Sequence, residues 1–158
     1  MQYERLAELY LSLEKVSGRI EKSEILATFF RSCSQNDLKS VVYLVQGRVF
    51  SQGDERKLGM SSRLLLKAVS QTAGISVDKV EEIWKKEGDL GSATEILFQE
   101  KKQKALLSKP LTLQKVVANI SKLPTLEGKG TVQRKVGLIC ELLSFANPVE
   151  ARFLVRTV

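Results

Sequence analysis

The residues best suited to chemistry in this sequence are basic side chains beside glycines, and that chemistry is the binding of phosphate groups. Gly128-Lys129-Gly130-Thr131 precedes Gln133, Arg134 and Lys135, and the pattern predicts a helix that begins at Thr131. A helix start attracts anions through its free N–H groups and positive dipole end. Glycines let the backbone approach a phosphate or a shallow groove closely. The alternative interpretation is an ordinary glycine turn; a Walker loop is excluded because GxxxxGK[ST] is absent.

A second segment repeats this arrangement before another predicted helix. Arg56, Lys57, Gly59 and Ser61 combine a basic pair, a glycine and a hydroxyl cap, and the alternative is a plain interhelical loop. The connector residues Lys101, Lys102 and Lys104 could bind backbone phosphates, and their alternative is a solvated run of charge. Arg152 and Arg156 are four apart on one helix face and could contact the same strand of a nucleic acid. Arg31, Arg48 and Arg63 are secondary candidates.

Several classes of catalytic site are excluded by composition. The sequence has no histidine and two cysteines, Cys33 and Cys140, far apart in apolar helical patterns. A Cys/His zinc site needs four ligands, and Ser-His or Cys-His nucleophilic catalysis needs histidine. Asp54 and Asp89 are interpreted as turn and cap residues. We therefore predict no catalytic residue, no metal site and two free thiols in a reducing cytosol.

The charge distribution predicts a polyanion as partner. The net charge is +7, and residues 101–158 contain 11 Lys and Arg against 3 Asp and Glu, whereas residues 1–100 contain 14 against 15. Nucleic acid is the first interpretation and an anionic membrane surface the second. Few aromatic residues lie in the basic loops, which favours contact with a duplex backbone over stacking on single strands. No apolar run approaches the roughly 20 residues that span a bilayer, so we expect a soluble cytoplasmic protein.

Hydrophobic periodicity predicts an all-α fold of about nine helices, in one domain over residues 1–158. Apolar residues recur at helical spacing, as in Leu6, Leu9 and Leu13, and no segment shows sustained strand alternation. The predicted N-cap residues are Ser34, Ser61 or Ser62, Ser76, Asp89, Thr112 and Asn147. At an offset of about 113 residues, the helix after Ser34 pairs with the helix after Asn147. This offset predicts two related halves, about 1–100 and 101–158, in a fragment that ends partway through a structural unit.

The same segments resemble the N-terminal DNA-binding domain of ATP-dependent DNA ligases of archaeal or eukaryotic type. The resemblance covers nearly the whole chain, through the order and spacing of Met1–Tyr10, Glu55–Gly59, Leu65–Val69, Gly88–Gly91, Lys101–Lys104, Pro110–Thr112, Gly128–Gly130, Arg134-Lys135 and Glu150–Thr157. It implies an all-helical domain with internal pseudo-symmetry that lies on the minor groove of nicked duplex. By matching position, it implies DNA contacts at Arg56, Gly59, Ser61, Gly128, Gly130, Thr131, Arg134 and Lys135.

The resemblance also implies what this chain lacks. The nucleotidyl-transfer core of these ligases contains a lysine in a K-x-D-G motif, and no K-x-D-G occurs here. We therefore expect a non-catalytic fragment without the nucleotidyltransferase and OB-fold domains, whose parent uses ATP and Mg²⁺ to seal nicks in replication, repair and recombination. The implied partners are nicked duplex DNA, the other ligase domains and a sliding clamp. The alternative function is an α-helical adaptor whose basic face binds an acidic protein.

Overall fold

The computed structural model describes residues 1–100 and 109–158, and these residues form nine α-helices and one short 3₁₀ helix. The helices are α1 (Tyr3–Glu14), α2 (Arg19–Arg31), α3 (Gln35–Val45), α4 (Ser62–Ala73), α5 (Val77–Glu87), α6 (Leu90–Glu100), α7 (Leu113–Lys122), α8 (Thr131–Phe145) and α9 (Pro148–Thr157), with the 3₁₀ helix at Leu123–Thr125. Within these described ranges, β-structure is confined to an isolated bridge between Gln2 and Thr112. The predicted all-α fold is confirmed.

Side-chain caps fix where most of the helices begin. The residues predicted as caps each accept a hydrogen bond from the backbone N–H three residues further on, namely Ser34, Ser61, Ser76, Asp89, Thr112 and Asn147. At Asn147 the bond is reciprocal, because the Glu150 carboxylate accepts from the Asn147 N–H at 2.7 Å. These caps accept hydrogen bonds from N–H groups that have no acceptor inside the helix. Because few residue types can do this, the start of a helix can be predicted from the sequence.

The hydrophobic core joins the two parts of the described chain. Helix α9 packs against α1 and α6, α6 against α5, and α4 against both α5 and α8. Fully buried side chains from both parts, including Tyr3, Leu6, Val69, Ile120 and Leu154, belong to one cluster. Helix α2 lies at the periphery against α1. The helical spacing of Ile25, Leu26, Phe29 and Phe30 predicts that these residues are buried, but all four are only half-buried, and α2 contains no buried residue.

The amino-terminal residues are hydrogen-bonded to the start of α7, and the sequence pattern does not predict these contacts. The Tyr3 N–H donates to the Leu111 carbonyl at 2.8 Å, and the Leu113 N–H donates to the Met1 carbonyl at 3.0 Å. The Met1 amino group lies 3.1 Å from the Asp37 carboxylate, and both groups are almost fully buried. Hydrogen bonds from Ser34 and from this amino group lower the pKa of Asp37 below its ordinary value. This charge pair anchors the amino terminus on α3.

The predicted internal repeat is not shown by the helices themselves. Ser34 and Asn147 both cap helices, as the offset predicted. The preceding helices differ, because α2 contains no buried residue whereas α8 buries Val136, Ile139 and two leucines. A two-fold relation between the halves therefore stays a prediction.

Candidate nucleic-acid interface

The two predicted phosphate-binding segments lie together at one end of the α4–α8 pair. Lys135, in the second turn of α8, donates to the carbonyls of Leu58 and Gly59 at 3.2 and 3.3 Å. Further along both helices, the Cys140 thiol lies 3.6 Å from the Ala68 carbonyl. The two helices therefore run parallel, and their N-termini lie at the same end of the pair. Segments more than 70 residues apart in sequence thus form one surface.

The start of α8 exposes backbone in the form expected of an anion site. Gly130 is the N-cap and has no side chain to accept from the N–H groups of the first turn. Gly128 and Gly130 have φ of +79° and +78°, a conformation that favours glycine. A Cβ added at either position would meet no atom within 4 Å, so the backbone here is open to an incoming ligand.

Two side chains organise this loop. The Thr131 hydroxyl donates to the Gly128 carbonyl at 2.6 Å, and the Arg134 guanidinium donates to the Glu127 carbonyl at 2.6 Å. Lys129 and Arg134 are exposed. The loop therefore presents two cations beside the free N–H groups of the helix start.

Arg56 is held in a fixed orientation beside α4. Its Nε lies 2.9 Å from the Asp54 carboxylate, and its guanidinium lies over the Phe50 ring, 4.1 Å from the ring centroid. Half of the Arg56 side chain is exposed. Hydrogen bonds from the Arg56 side chain and backbone lower the pKa of Asp54, so the pair is ionised at neutral pH. Asp54 and Phe50 therefore engage one edge and one face of a guanidinium group whose side chain is still half exposed.

A shallow cavity next to Arg56 extends this surface. Its volume is about 280 Å³, and its lining includes Arg48, Phe50, Ser51 and Arg56. Sequence reasoning placed Arg48 among the secondary candidates and missed Phe50 altogether. An aromatic residue six positions before an arginine in a loop gives no periodic signal, so only the folded loop shows the contact.

Arg152 and Arg156 occupy a different environment from the other predicted site residues. Arg152 pairs with Glu95 and Glu14, and Arg156 pairs with Asp89 and Glu14, at N–O distances of 2.5 to 3.1 Å. These contacts link α9 to α1 and α6. Both guanidinium groups are thus engaged by carboxylates of the protein itself.

The remaining candidates divide into exposed residues and residues outside the described ranges. Lys57, Gly59 and Ser61 are exposed, and Ser61 accepts from the Leu64 N–H at 3.4 Å. Lys101, Lys102 and Lys104 lie outside the described residues. Within residues 1–100 and 109–158, no cluster of three His, Cys, Asp or Glu side chains is arranged to hold a metal ion. Over the same ranges, no helix is long and apolar enough to cross a bilayer.

Comparison with known proteins gives the family. The profile described as DNA ligase N terminus matches residues 2–158. The chain belongs to this family. This member of the DNA ligase N-terminus family resembles whole DNA ligases over part of their length. The chain is 40 % identical over 156 residues to a DNA ligase of Methanothermobacter thermautotrophicus, covering 99 % of this chain and 28 % of the relative.

Other relatives repeat this pattern. A DNA ligase of Thermococcus fumicolans is 37 % identical over 158 residues, covering 100 % of this chain and 28 % of the relative. A DNA ligase of Nanoarchaeum equitans is 36 % identical over 156 residues, covering 99 % of this chain and 27 % of the relative. The chain therefore spans little more than a quarter of the length of these curated relatives. The resemblance drawn from the glycine and basic motifs is confirmed at the level of the family.

Proposed function

We propose that this chain is the duplex-binding N-terminal domain of an ATP-dependent DNA ligase, and that it is not itself catalytic. It holds nicked duplex through backbone and minor-groove contacts so that the parent enzyme seals the nick in replication, repair and recombination. The observation that carries this proposal is the Lys135 contact to Gly59, which joins two glycine-containing basic segments into one surface. Membership of the DNA ligase N-terminus family supplies the context.

The geometry supports binding to the DNA backbone without recognition of the base sequence. Peptide N–H groups at helix starts and arginine or lysine side chains bind phosphate oxygens, which position a protein on duplex without specifying bases. The exposed surface offers both kinds of donor at the start of α8, with Lys129 and Arg134 as its cations. In the loop before α4, the oriented Arg56 and the exposed Lys57 provide a second set. We leave Arg152 and Arg156 out of the proposed interface because each pairs with two carboxylates, whereas Arg56 pairs with one and is half exposed.

The parent enzyme would supply the chemistry. ATP and Mg²⁺ belong to the adenylation and nick-sealing steps of the parent, and the K-x-D-G lysine that would carry the nucleotide is absent from this sequence. The remaining ligase domains would be the domain's partners in the same chain, acting on chromosomal DNA in the cytosol. A sliding clamp is a further partner implied only by the family resemblance.

Fluorescence anisotropy tests the proposal with nicked duplex, intact duplex and single strand over a range of salt concentrations. We expect the domain to bind duplex more tightly than single strand, with affinity that falls steeply as salt rises. The double variant K129A/R134A removes two proposed phosphate contacts, which should reduce the slope of log affinity against log salt by about 2.

The matched control for this experiment is K79A. Lys79 is an exposed lysine in the first turn of α5, which follows the C-terminal end of α4, so it lies away from the proposed surface. K79A should leave the salt slope unchanged. Equal binding to heparin and duplex, or no duplex binding at low salt, would refute the proposal and favour an adaptor that binds an acidic protein.

A further inference from the structure

Lys135 differs from the other cations of the proposed interface because its ammonium group already has acceptors. Nζ lies 3.2 Å from the Leu58 carbonyl oxygen and 3.3 Å from the Gly59 carbonyl oxygen. An ammonium group has three donors, so two of them are engaged by the loop. Lys135 is half-buried, whereas its neighbour Arg134 is exposed. Sequence reasoning had counted both as equivalent phosphate contacts.

The absence of a side chain at Gly59 leaves room for this ammonium group. A Cβ added at Gly59 would lie 2.5 Å from Lys135 Nζ, so the ammonium occupies the space that a side chain at position 59 would need. The φ of Gly59 is +63°, a backbone conformation that favours glycine, and its carbonyl and that of Leu58 both accept from Lys135. Glycine therefore meets two requirements here, the backbone conformation and the close approach of Lys135.

The loop that Lys135 contacts is anchored on the core by Val49, Leu58 and Met60, but its central part is exposed. Residues 46–61 connect α3 to α4, and most residues from Ser51 to Lys57 are exposed. Arg56 and Asp54 pair within the loop itself and do not connect it to α8. The Lys135 bonds are charge-assisted, and such bonds are about twice as strong as neutral ones. Together with the core contacts of Leu58 and Met60, they hold the end of the loop that carries Arg56 beside the start of α8.

We propose that Lys135 is a positioning residue, which fixes the loop of Arg56, Lys57 and Gly59 against α8 so that both segments meet the duplex together. It does not take a phosphate of its own. This inference rests on the proposed function, since it assigns a role within the duplex-binding surface. It differs from a direct-contact role in one measurable respect: the effect of losing Lys135 must depend on the cations of the loop.

The first experiment uses the free domain and does not involve DNA. Backbone ¹⁵N relaxation of Gly59 and its neighbours should report an ordered loop in the wild type. K135M removes the ammonium group and should increase the mobility of residues 57–60, while K135R keeps a charged donor and should restore part of the order. R134A is the matched control, because Arg134 precedes Lys135 and contacts Glu127 instead of the loop. Unchanged Gly59 dynamics in K135M would overturn the inference.

The second experiment is a double-mutant cycle in the anisotropy assay with nicked duplex. We expect K135M to weaken binding about 10-fold in the wild-type background and less than about 2-fold in the R56A/K57A background, because the loop cations are then gone. R134A should have the same effect in both backgrounds. Equal effects of K135M in both backgrounds would show an independent phosphate contact and overturn this inference alone. Failure of the wild-type domain to bind duplex would overturn the proposed function as well.

Discussion

Arg152 donates to Glu95 across the interface between α9 and α6, with Nη1 3.1 Å from the carboxylate oxygen and the two side chains 19 % and 18 % exposed. Its other terminal nitrogen lies 2.7 Å from Glu14 of α1. One arginine, predicted from sequence to contact DNA, thus links three helices. Arg152 therefore belongs to the residues that stabilise the fold, unlike the exposed cations at the start of α8.

Truncation of Arg152 should therefore destabilise the domain without changing its contacts to DNA. R152A leaves Glu95 without its cation and removes one of the two arginines that pair with Glu14, so we expect a loss of about 2 kcal/mol in the free energy of unfolding. Urea unfolding measures this loss. R134A, which removes an exposed guanidinium, should change stability by less than about 0.5 kcal/mol. Duplex affinity that falls more in folded R152A than in R134A would contradict this assignment.

Gly91 should be intolerant of any side chain, because α6 and α9 meet there. A Cβ at position 91 would lie 2.8 Å from the Arg152 carbonyl oxygen, which belongs to the backbone of α9 and cannot easily shift. We expect G91A to cost about 1–3 kcal/mol through overpacking. G137A is the matched control in mid-α8, where a Cβ meets no atom within 4 Å. That substitution should stabilise by about 0.5–1 kcal/mol, so thermal melting should show shifts of opposite sign.

Glu150 should make stability depend on pH near neutrality. Burial raises the pKa of this carboxyl to about 7, above its ordinary 4.5, despite the hydrogen bond from the Asn147 N–H. A raised folded-state pKa favours the protonated form, so its stabilisation is present at low pH and is lost as pH rises through 7. Relative to E150Q, the wild type should lose on the order of 3 kcal/mol between about pH 4 and pH 9. Parallel stability curves for the two proteins, measured by denaturation across this range, would refute the prediction.

Gly130 should matter for DNA binding beyond its effect on stability. G130A places a Cβ on a residue with φ of +78°, which costs about 1 kcal/mol or more and disturbs the start of α8. Gly74 at the C-terminal end of α4 has nearly the same φ, +73°, and equally open surroundings, so G74A carries the same backbone cost. We expect similar losses of stability for both variants, and weaker binding of nicked duplex for G130A alone. Equal affinity of the two variants would remove the start of α8 from the interface.

The local features of this fold could be predicted because they depend on neighbouring residues. An N-cap needs one side chain and a backbone N–H three residues away, so Ser76, Thr112 and Asn147 could be assigned from short sequence windows. The helical spacing of apolar residues likewise predicted the all-α class. The helix predicted to begin at Thr131 begins there, directly after Gly130.

The sequence by itself determined the helices, their caps, the excess of basic residues and the pattern of glycines that marks the family. Only the tertiary structure decided which basic residues remain available. Arg134 and Lys135 are adjacent in sequence, yet one is exposed and the other donates to Gly59 on a distant loop. Arg56 pairs with one carboxylate and is half exposed, whereas Arg156 pairs with both Asp89 and Glu14. The reason is physical: a charged side chain takes its role from the groups that folding brings within a few ångströms, and those groups come from helices remote in sequence.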